Sequence, residues 1–369
     1  MQFLGSTRMI NLFLPALLLA ACGGGSPAPG DDGTPSGPLE TTSKPLAVPL
    51  PGNATQTTLT PTADDLQGLR KSGRIDAKSG QLIENLDISN PQGPCVVVGA
   101  GVRNVTIRRS RIGPCGPSGG STDYGIFILE GATNIVVQSN VIHDVASGVK
   151  AHRSTSPLVI DRNYFFNIRG PHYNGQAVQF NAVSGGNSPS KVTCNVSDAN
   201  YGTGVKGYED HISMYAASGM PSAPIEIAYN RIRGGTSKEG GGITVGDNGG
   251  SWIWVHDNVV VTVTNTGIGV AGGNQILVEN NRVDNRGTAP SSLTYLAYYV
   301  RALSACSNIT IRGNRGTARL WNWNENDGAL SFAFRNGPEM CSRVTDDANQ
   351  FLDTSLSPAM FDEKPAACN

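Results

Sequence analysis

One pattern limits what this chain can fold into: an apolar residue followed three positions later by asparagine, recurring along most of its length. It appears at Val137-Gln-Ser-Asn140, Ile160-Asp-Arg-Asn163, Val192-Thr-Cys-Asn195, Ile227-Ala-Tyr-Asn230, Val255-His-Asp-Asn258, Val278-Glu-Asn-Asn281 and Ile311-Arg-Gly-Asn314. Ile107-Arg-Arg-Ser110 fits with serine in the asparagine place, and Asn349 extends the series. From Asn140 to Asn314 the intervals are 23, 32, 35, 28, 23 and 33 residues. The shortest interval recurs, so the longer ones read as the same unit plus a loop. Self-similarity at this period marks a solenoid.

Each unit holds three short strand-like runs. In one they are Gly125-Ile-Phe-Ile, Asn134-Ile-Val-Val-Gln and Val141-Ile-His-Asp-Val145, and the next restarts at Gly148-Val-Lys-Ala-His152. No helix-length periodic stretch separates them, which excludes alternating βα units. Stacking the same strand of successive units gives parallel sheets with a strand spacing of ~4.8 Å. Asparagine suits a corner: it tolerates left-handed backbone, and its amide can bond the next coil's asparagine. The 46 glycines of 369 residues, well above the usual ~7%, supply the many turns. This pattern resembles the right-handed parallel β-helix of pectate lyases and related proteins, over about residues 75–350. The resemblance implies an all-β, three-strand-per-coil solenoid, and it bears on fold far more than on activity.

Residues 1–21 read as a signal peptide, with Arg8, the apolar run Leu12–Ala20 and a small-residue ending. Leu19-Ala-Ala-Cys22 resembles the lipobox of bacterial lipoproteins. That implies cleavage before Cys22, lipidation of its thiol and, with Gly23 next, sorting to the outer membrane. Residues 22–60, rich in Gly, Pro, Ser and Thr, cannot offset their ordering entropy by burial and read as a tether. Residues 61–369 are the β-helix domain. Thr62-Ala-Asp-Asp65 before Leu66 and Leu69 is capping-box-like and predicts a short helix over the N-terminal end. The tail from about residue 350 is expected to cover the other end. A net charge of −1 gives no reason to expect nucleic acid, and a monomer is expected. Of the six cysteines after Cys22, Cys95–Cys115 and Cys341–Cys368 are plausible local disulfides; Cys194 and Cys306 lie far apart and either could be free.

Aligning the strand that follows each unit's start defines one outward face. It carries Phe127, Lys150, His152, Gln179, Asn181, His211, Ser213, Tyr215, Thr244, Gly269, Tyr299 and Arg301, while Ile212, Met214, Ile243 and Val245 point inward. Glu209, Asp210 and Asp247 stand at the strand ends. Lys150 and His211 lie two coils apart, roughly 10 Å, a span that suits a sugar ring. Loops at 170–175, 184–191, 200–208 and 234–239 rise beside this face and make a groove. His172 and Tyr173 belong to one of them. Trp321 and Trp323 could form a stacking platform but fit core packing better, and His143 and His256 fall on other sheets. No His/Cys spacing suggests zinc. Asp210, Asp247 and carbonyl-rich loops have the chemistry to bind calcium, though nothing resembles a dedicated site.

Two further resemblances bear on activity. Glu209-Asp-His-Ile-Ser-Met214 looks like the Asp-Asp-Cys-Ile-Ala-Ile stretch of polygalacturonase-type hydrolases, which implies an acid at Asp210 with Glu209. The next coil, Ser237-Lys-Glu-Gly-Gly-Gly-Ile-Thr-Val-Gly246, is similar to their Gly-His-Gly-Ile-Ser-Ile-Gly stretch, but Gly241 stands where that family has histidine, and Gly267-Ile-Gly-Val270 lacks its Arg-x-Lys. The face also resembles polysaccharide lyases in chemistry. Lys150 or His211 could be the base, Arg153 or Lys150 could face a uronate carboxylate, and Tyr215 could donate the proton. His152, Gln179, Asn181, Glu209, Ser213, Thr244 and Asp247 would bind substrate. The expectation is an envelope-anchored protein that cleaves a uronate-containing polysaccharide by β-elimination. A hydrolase, a uronate C5-epimerase and a non-catalytic glycan-binding or structural β-helix are the alternatives.

Overall fold

The computed structural model describes residues 60–369 except 63–64, 118–119, 172–173, 202–206, 236–240, 264, 287–291, 299–305, 319–340 and 352. The fold is a right-handed parallel β-helix. Among the described residues, three parallel sheets of 9, 10 and 11 strands run its length, and within each sheet the neighbours are every third strand of the chain. Each coil therefore gives one strand to each sheet, in the order first, second, third.

Apolar columns fill the interior. On the first sheet Ile126, Val149, Val178, Ile212, Ile243 and Ile268 stack in register. Ile107, Val137, Ile160, Val192, Ile227, Val255, Val278 and Ile311 do so on the second. All are at most 2% exposed. Burying each such side chain stabilises the fold by about 1.5–3 kcal/mol.

The asparagines stack in one buried column at the corner between the second and third sheets. From Asn140 to Asn314 each Nδ2 donates to the next coil's asparagine Oδ1 at 2.8–3.0 Å, Asn349 being the last acceptor. The backbone N–H of each donates to the same oxygen, and each Nδ2 also donates to the apolar residue's carbonyl one coil back, as Asn230 does to Val192. Ser110 opens the column by donating its N–H to Asn140 Oδ1. The left-handed residue is not the asparagine but the one before it: Ser139, Arg162, Cys194, Tyr229, Asp257 and Asn280 have φ between 53° and 59°, or 52° for Asp257. The asparagine is there for its amide, not for its backbone tolerance.

Three expectations need correction. Thr62 and Asp65 do pair, Thr62 N–H donating to Asp65 Oδ2 at 2.6 Å, but residues 65–69 continue without a helix. The tail does not run on past the last coil. It turns back along the outer face of the third sheet, where Leu356, Met360 and Phe361 bury against Val196, Val259 and Val261. Arg233 stacks on Phe361, and Arg282 and Arg315 pair with Glu363 and Asp353. This path decides the disulfides: Cys95–Cys115 forms, but the others are Cys194–Cys368 and Cys306–Cys341. Cys306 and Cys341 stand at the starts of paired strands one coil apart, so coil spacing, not nearness in sequence, brings them together.

Replacing a mid-column asparagine should be costly. Asn230→Ala removes two donated bonds and leaves the N–H groups of Asn195 without their acceptor. The expected loss is about 2–4 kcal/mol of unfolding free energy, read by denaturant titration. An unchanged midpoint would show that the apolar columns alone hold the coils.

Candidate functional site

Strand pairing on the first sheet aligns two outward rows. Lys150, Gln179, Ser213 and Thr244 are cross-strand partners in successive coils. His152, Asn181, Tyr215 and Asp247 form the second row, the last step crossing a bulge after Ser213. Arg153 follows His152 at an exposed corner with φ 50°. The two rows run along four coils, roughly 14 Å at the strand spacing.

The edge where chain enters these strands from the third sheet is desolvated. Lys150 Nζ donates to Asn174 Oδ1 at 3.0 Å and lies 5.3 Å from the Tyr124 ring centre. Burial lowers its pKa, opposed by the Glu209 carboxylate. Gln176, fully buried, accepts from Ser147 Oγ and donates to Glu209 Oε2. Asp210 is 8% exposed. Its Oδ1 accepts from Gly241 N–H at 2.9 Å and Thr244 Oγ1 at 2.8 Å. Burial first, then the neighbouring Glu209 charge, pushes its carboxyl up to about 7. Between these groups, Gln179 Oε1 is buried and has no hydrogen-bond partner among the described residues.

His211, expected on the outer face, lies inside. It is 1% exposed and stacks on Tyr208 with ring centres 4.1 Å apart. Its Nε2 donates to Gly234 O at 3.0 Å, a bond that fixes the tautomer, and Nδ1 accepts from Ser197 Oγ at 2.7 Å. Ser197 occupies the inward column of the third sheet, between Phe165 and Ile232. Strand alternation fails here because Ile212 begins the strand and His211 still belongs to the turn. Burial holds its pKa down at about 4, so the ring is neutral and structural. His143 and His256 lie on the third and second sheets. His172, Tyr173, Tyr299, Arg301, Trp321, Trp323 and Cys22 lie outside the described residues.

Sequence reading missed Tyr124, Asn174 and Gln176. All three sit just before a first-sheet strand, the same place as Glu209 and Asp210, so aligning strand entries as well as strand faces would have found them. Among the described residues no group of three or more His, Cys, Asp or Glu gathers as a metal site.

Residues 70–218 match the family described as right handed beta helix region. Three solved structures are similar. One is an alginate lyase from Paenibacillus sp. str. FPU-7, at 12% identity and TM-score 0.42, covering 71% of this chain and 89% of that one. Another is the catalytic domain of a GH87 alpha-1,3-glucanase in complex with nigerose, at 12% identity and TM-score 0.38, covering 76% of this chain and 53% of that one. This chain thus spans about half the glucanase's length. The third is the A-module of the Azotobacter vinelandii mannuronan C-5 epimerase AlgE4, at 13% identity and TM-score 0.29, covering 78% and 85%. No curated protein matches the sequence. At these scores the likeness is one of stacked coils and carries no activity with it. The chain is a right-handed parallel β-helix protein with two rows of polar side chains on the outward side of its first sheet.

The two buried titrating groups act oppositely on stability. His211 binds its proton in the unfolded chain near pH 6.5 but in the fold only near 4, so its contribution grows as pH rises from 4 to 6.5. Asp210 holds its proton to about pH 7 in the fold but only to 3.8 unfolded, so its contribution shrinks from 4 to 7. Relative to the parent protein, Asp210→Asn should gain on the order of 3 kcal/mol across that window, and His211→Asn should lose a similar amount. Unfolding titrations at several pH values measure both; flat difference curves would contradict the buried placements.

Proposed function

We propose that the groove binds a uronate-containing polysaccharide and cleaves it by β-elimination. The observation that carries this reading is one row of side chains. Lys150, whose pKa burial lowers, and Asp210, whose carboxyl burial pushes up to about 7, flank Gln179 and Ser213. Each half of the reaction has a group suited to it. The Lys150 amine, in its deprotonated form, takes the proton from the carbon beside the uronate carboxyl. Asp210, bonded through Oδ1, donates from Oδ2 to that carboxylate and stabilises the negative charge that develops there. The bond from the β carbon to the bridging oxygen of the next sugar then breaks, and the Tyr215 hydroxyl gives that leaving oxygen its proton.

A hydrolase is the second reading, favoured by the neighbouring carboxyls Glu209 and Asp210, the latter titrating near 7 as a general acid would. A C5-epimerase would share the first proton transfer. Cys22 is proposed as a lipid anchor at the outer membrane, with residues 22–60 as tether. Among the described residues no helix is long and apolar enough to cross a membrane.

A polysaccharide panel separates these readings. Rising ultraviolet absorbance of an unsaturated product marks a lyase, and new reducing ends without it mark a hydrolase. For the lyase, Lys150→Met should cut turnover by about 100-fold or more, while Asp210→Asn, which keeps a neutral donor, should retain most of it. Loss with Asp210→Asn and retention with Lys150→Met would reverse the assignment to hydrolysis.

Cys22→Ser should move the protein from the membrane to the soluble fraction without altering its thermal midpoint. Continued membrane association would remove the anchor from the proposal.

A further inference from the structure

The other edge of the groove, where chain leaves the first sheet, has the opposite character. In successive coils the corner residue after the strand is Arg153, Ala182, Ala216 and Asn248, with φ of 50°, 53°, 49° and 57°. Asparagine and glycine take this left-handed conformation at least cost. The two middle positions hold alanine, which gains nothing there for the backbone and leaves the corner almost without side chains.

What the alanines leave is an open depression of about 480 Å³, within the range of small-molecule sites. Met220, 45% exposed, and Pro221 wall one side, and Trp252 another. None of the residues lining it is charged. It is continuous with the groove, since Ala182 follows Asn181 and Ala216 follows Tyr215, both in the second outward row. Arg153, at the end of the corner column, is solvent-exposed and not among the lining residues.

We propose that this depression is a subsite for an uncharged sugar unit, next to the unit held over Lys150 and Asp210. The inference rests on the groove being the polysaccharide site. A pyranose presents an apolar face that Trp252, Met220 and Pro221 can cover, and Ser218 lies within the lining to meet its hydroxyls. A carboxylate in the same place would be desolvated against apolar walls with no cation to pair it. The substrate class that follows is a polymer in which a uronate neighbours a neutral or esterified sugar, not a homopolymer of free uronates.

Ala216→Asn tests this in the whole protein. Asparagine suits the left-handed corner, so folding is not at risk, and a thermal midpoint no lower than the parent's verifies it. Its side chain projects into the depression. The parent should turn over a mixed or methyl-esterified uronan with kcat/KM at least tenfold above a homopolyuronate of equal length. Ala216→Asn should lose that preference, its kcat/KM on the mixed polymer falling at least tenfold toward the homopolymer value. Equal preference in the two proteins overturns the subsite. If no polymer is turned over, the catalytic reading falls, and calorimetric titration with neutral oligosaccharides decides the subsite alone. Binding to the parent that Ala216→Asn abolishes supports it; no binding, or binding unaffected by the substitution, overturns it.

Discussion

The asparagine column is the constraint on which everything else depends. Columns of isoleucine and valine hold the coils together but do not fix their rotation, because neighbouring apolar side chains are nearly interchangeable along a strand. A one-residue slip would turn every inward side chain outward. The amide of Asn195 rules out that slip. It must meet Asn230 Oδ1 on one side and Ile160 O on the other, at 3.0 and 2.9 Å, and a shifted coil would bury unpaired polar groups. With rotation fixed at that corner, the first sheet's rows follow. Lys150 meets Gln179, Gln179 meets Ser213, and Ser213 meets Thr244 because the column leaves them no other partners.

The column also explains where the chain can grow. Its own corner stays the same length in every coil, since the asparagine is followed at once by the third-sheet strand, as in Asn163 before Tyr164 or Asn195 before Val196. The additional residues of the longer intervals therefore enter at the two corners that flank the first sheet. They run from Arg169 to Ala177 and from Ala199 to His211 on one side, and around Val183–Ser190 and Ala216–Pro224 on the other. Insertions confined to the borders of one sheet flank one face, and that face carries the outward rows from Lys150 to Thr244 and from His152 to Asp247.

This division sets what could be read from sequence. The apolar-x-x-Asn repeat made the coil, its register and the two outward rows legible, because each depends on spacing along one strand. What depends on a turn was not legible. His211 looked outward by counting back from Ser213, yet a turn residue is free of strand alternation, and Tyr208 and Ser197 draw its ring inside. Tyr124 and Gln176 escaped notice for the same reason, since they belong to turns with no period to align. The route of the tail was hidden because a disulfide between Cys194 and Cys368, 174 residues apart, reflects three-dimensional return, which no local pattern encodes. Asn248 and Ala216 share a backbone conformation that only the stacked corner demands.

In the proposed reaction, one physical cause, burial, acts on both Lys150 and Asp210. Removing water disfavours both charges, lowering the lysine's pKa and raising the carboxyl's. An incoming uronate would upset half of this balance, for its carboxylate favours the charged lysine, which is useless as a base. A protonated Asp210 answers that difficulty. By donating to the substrate carboxylate it would spread the anion's charge and weaken its field at Lys150, leaving in force the lowering of that amine's pKa by burial. Glu209 limits how far this can go, since its own charge favours protonated Lys150 and protonated Asp210 alike. Gln176, which donates to Glu209 from a fully buried position, holds that carboxylate in place. The uncharged depression at the far edge fits the same electrostatics: a second carboxylate brought close to Lys150 would add to the field that Asp210 must offset.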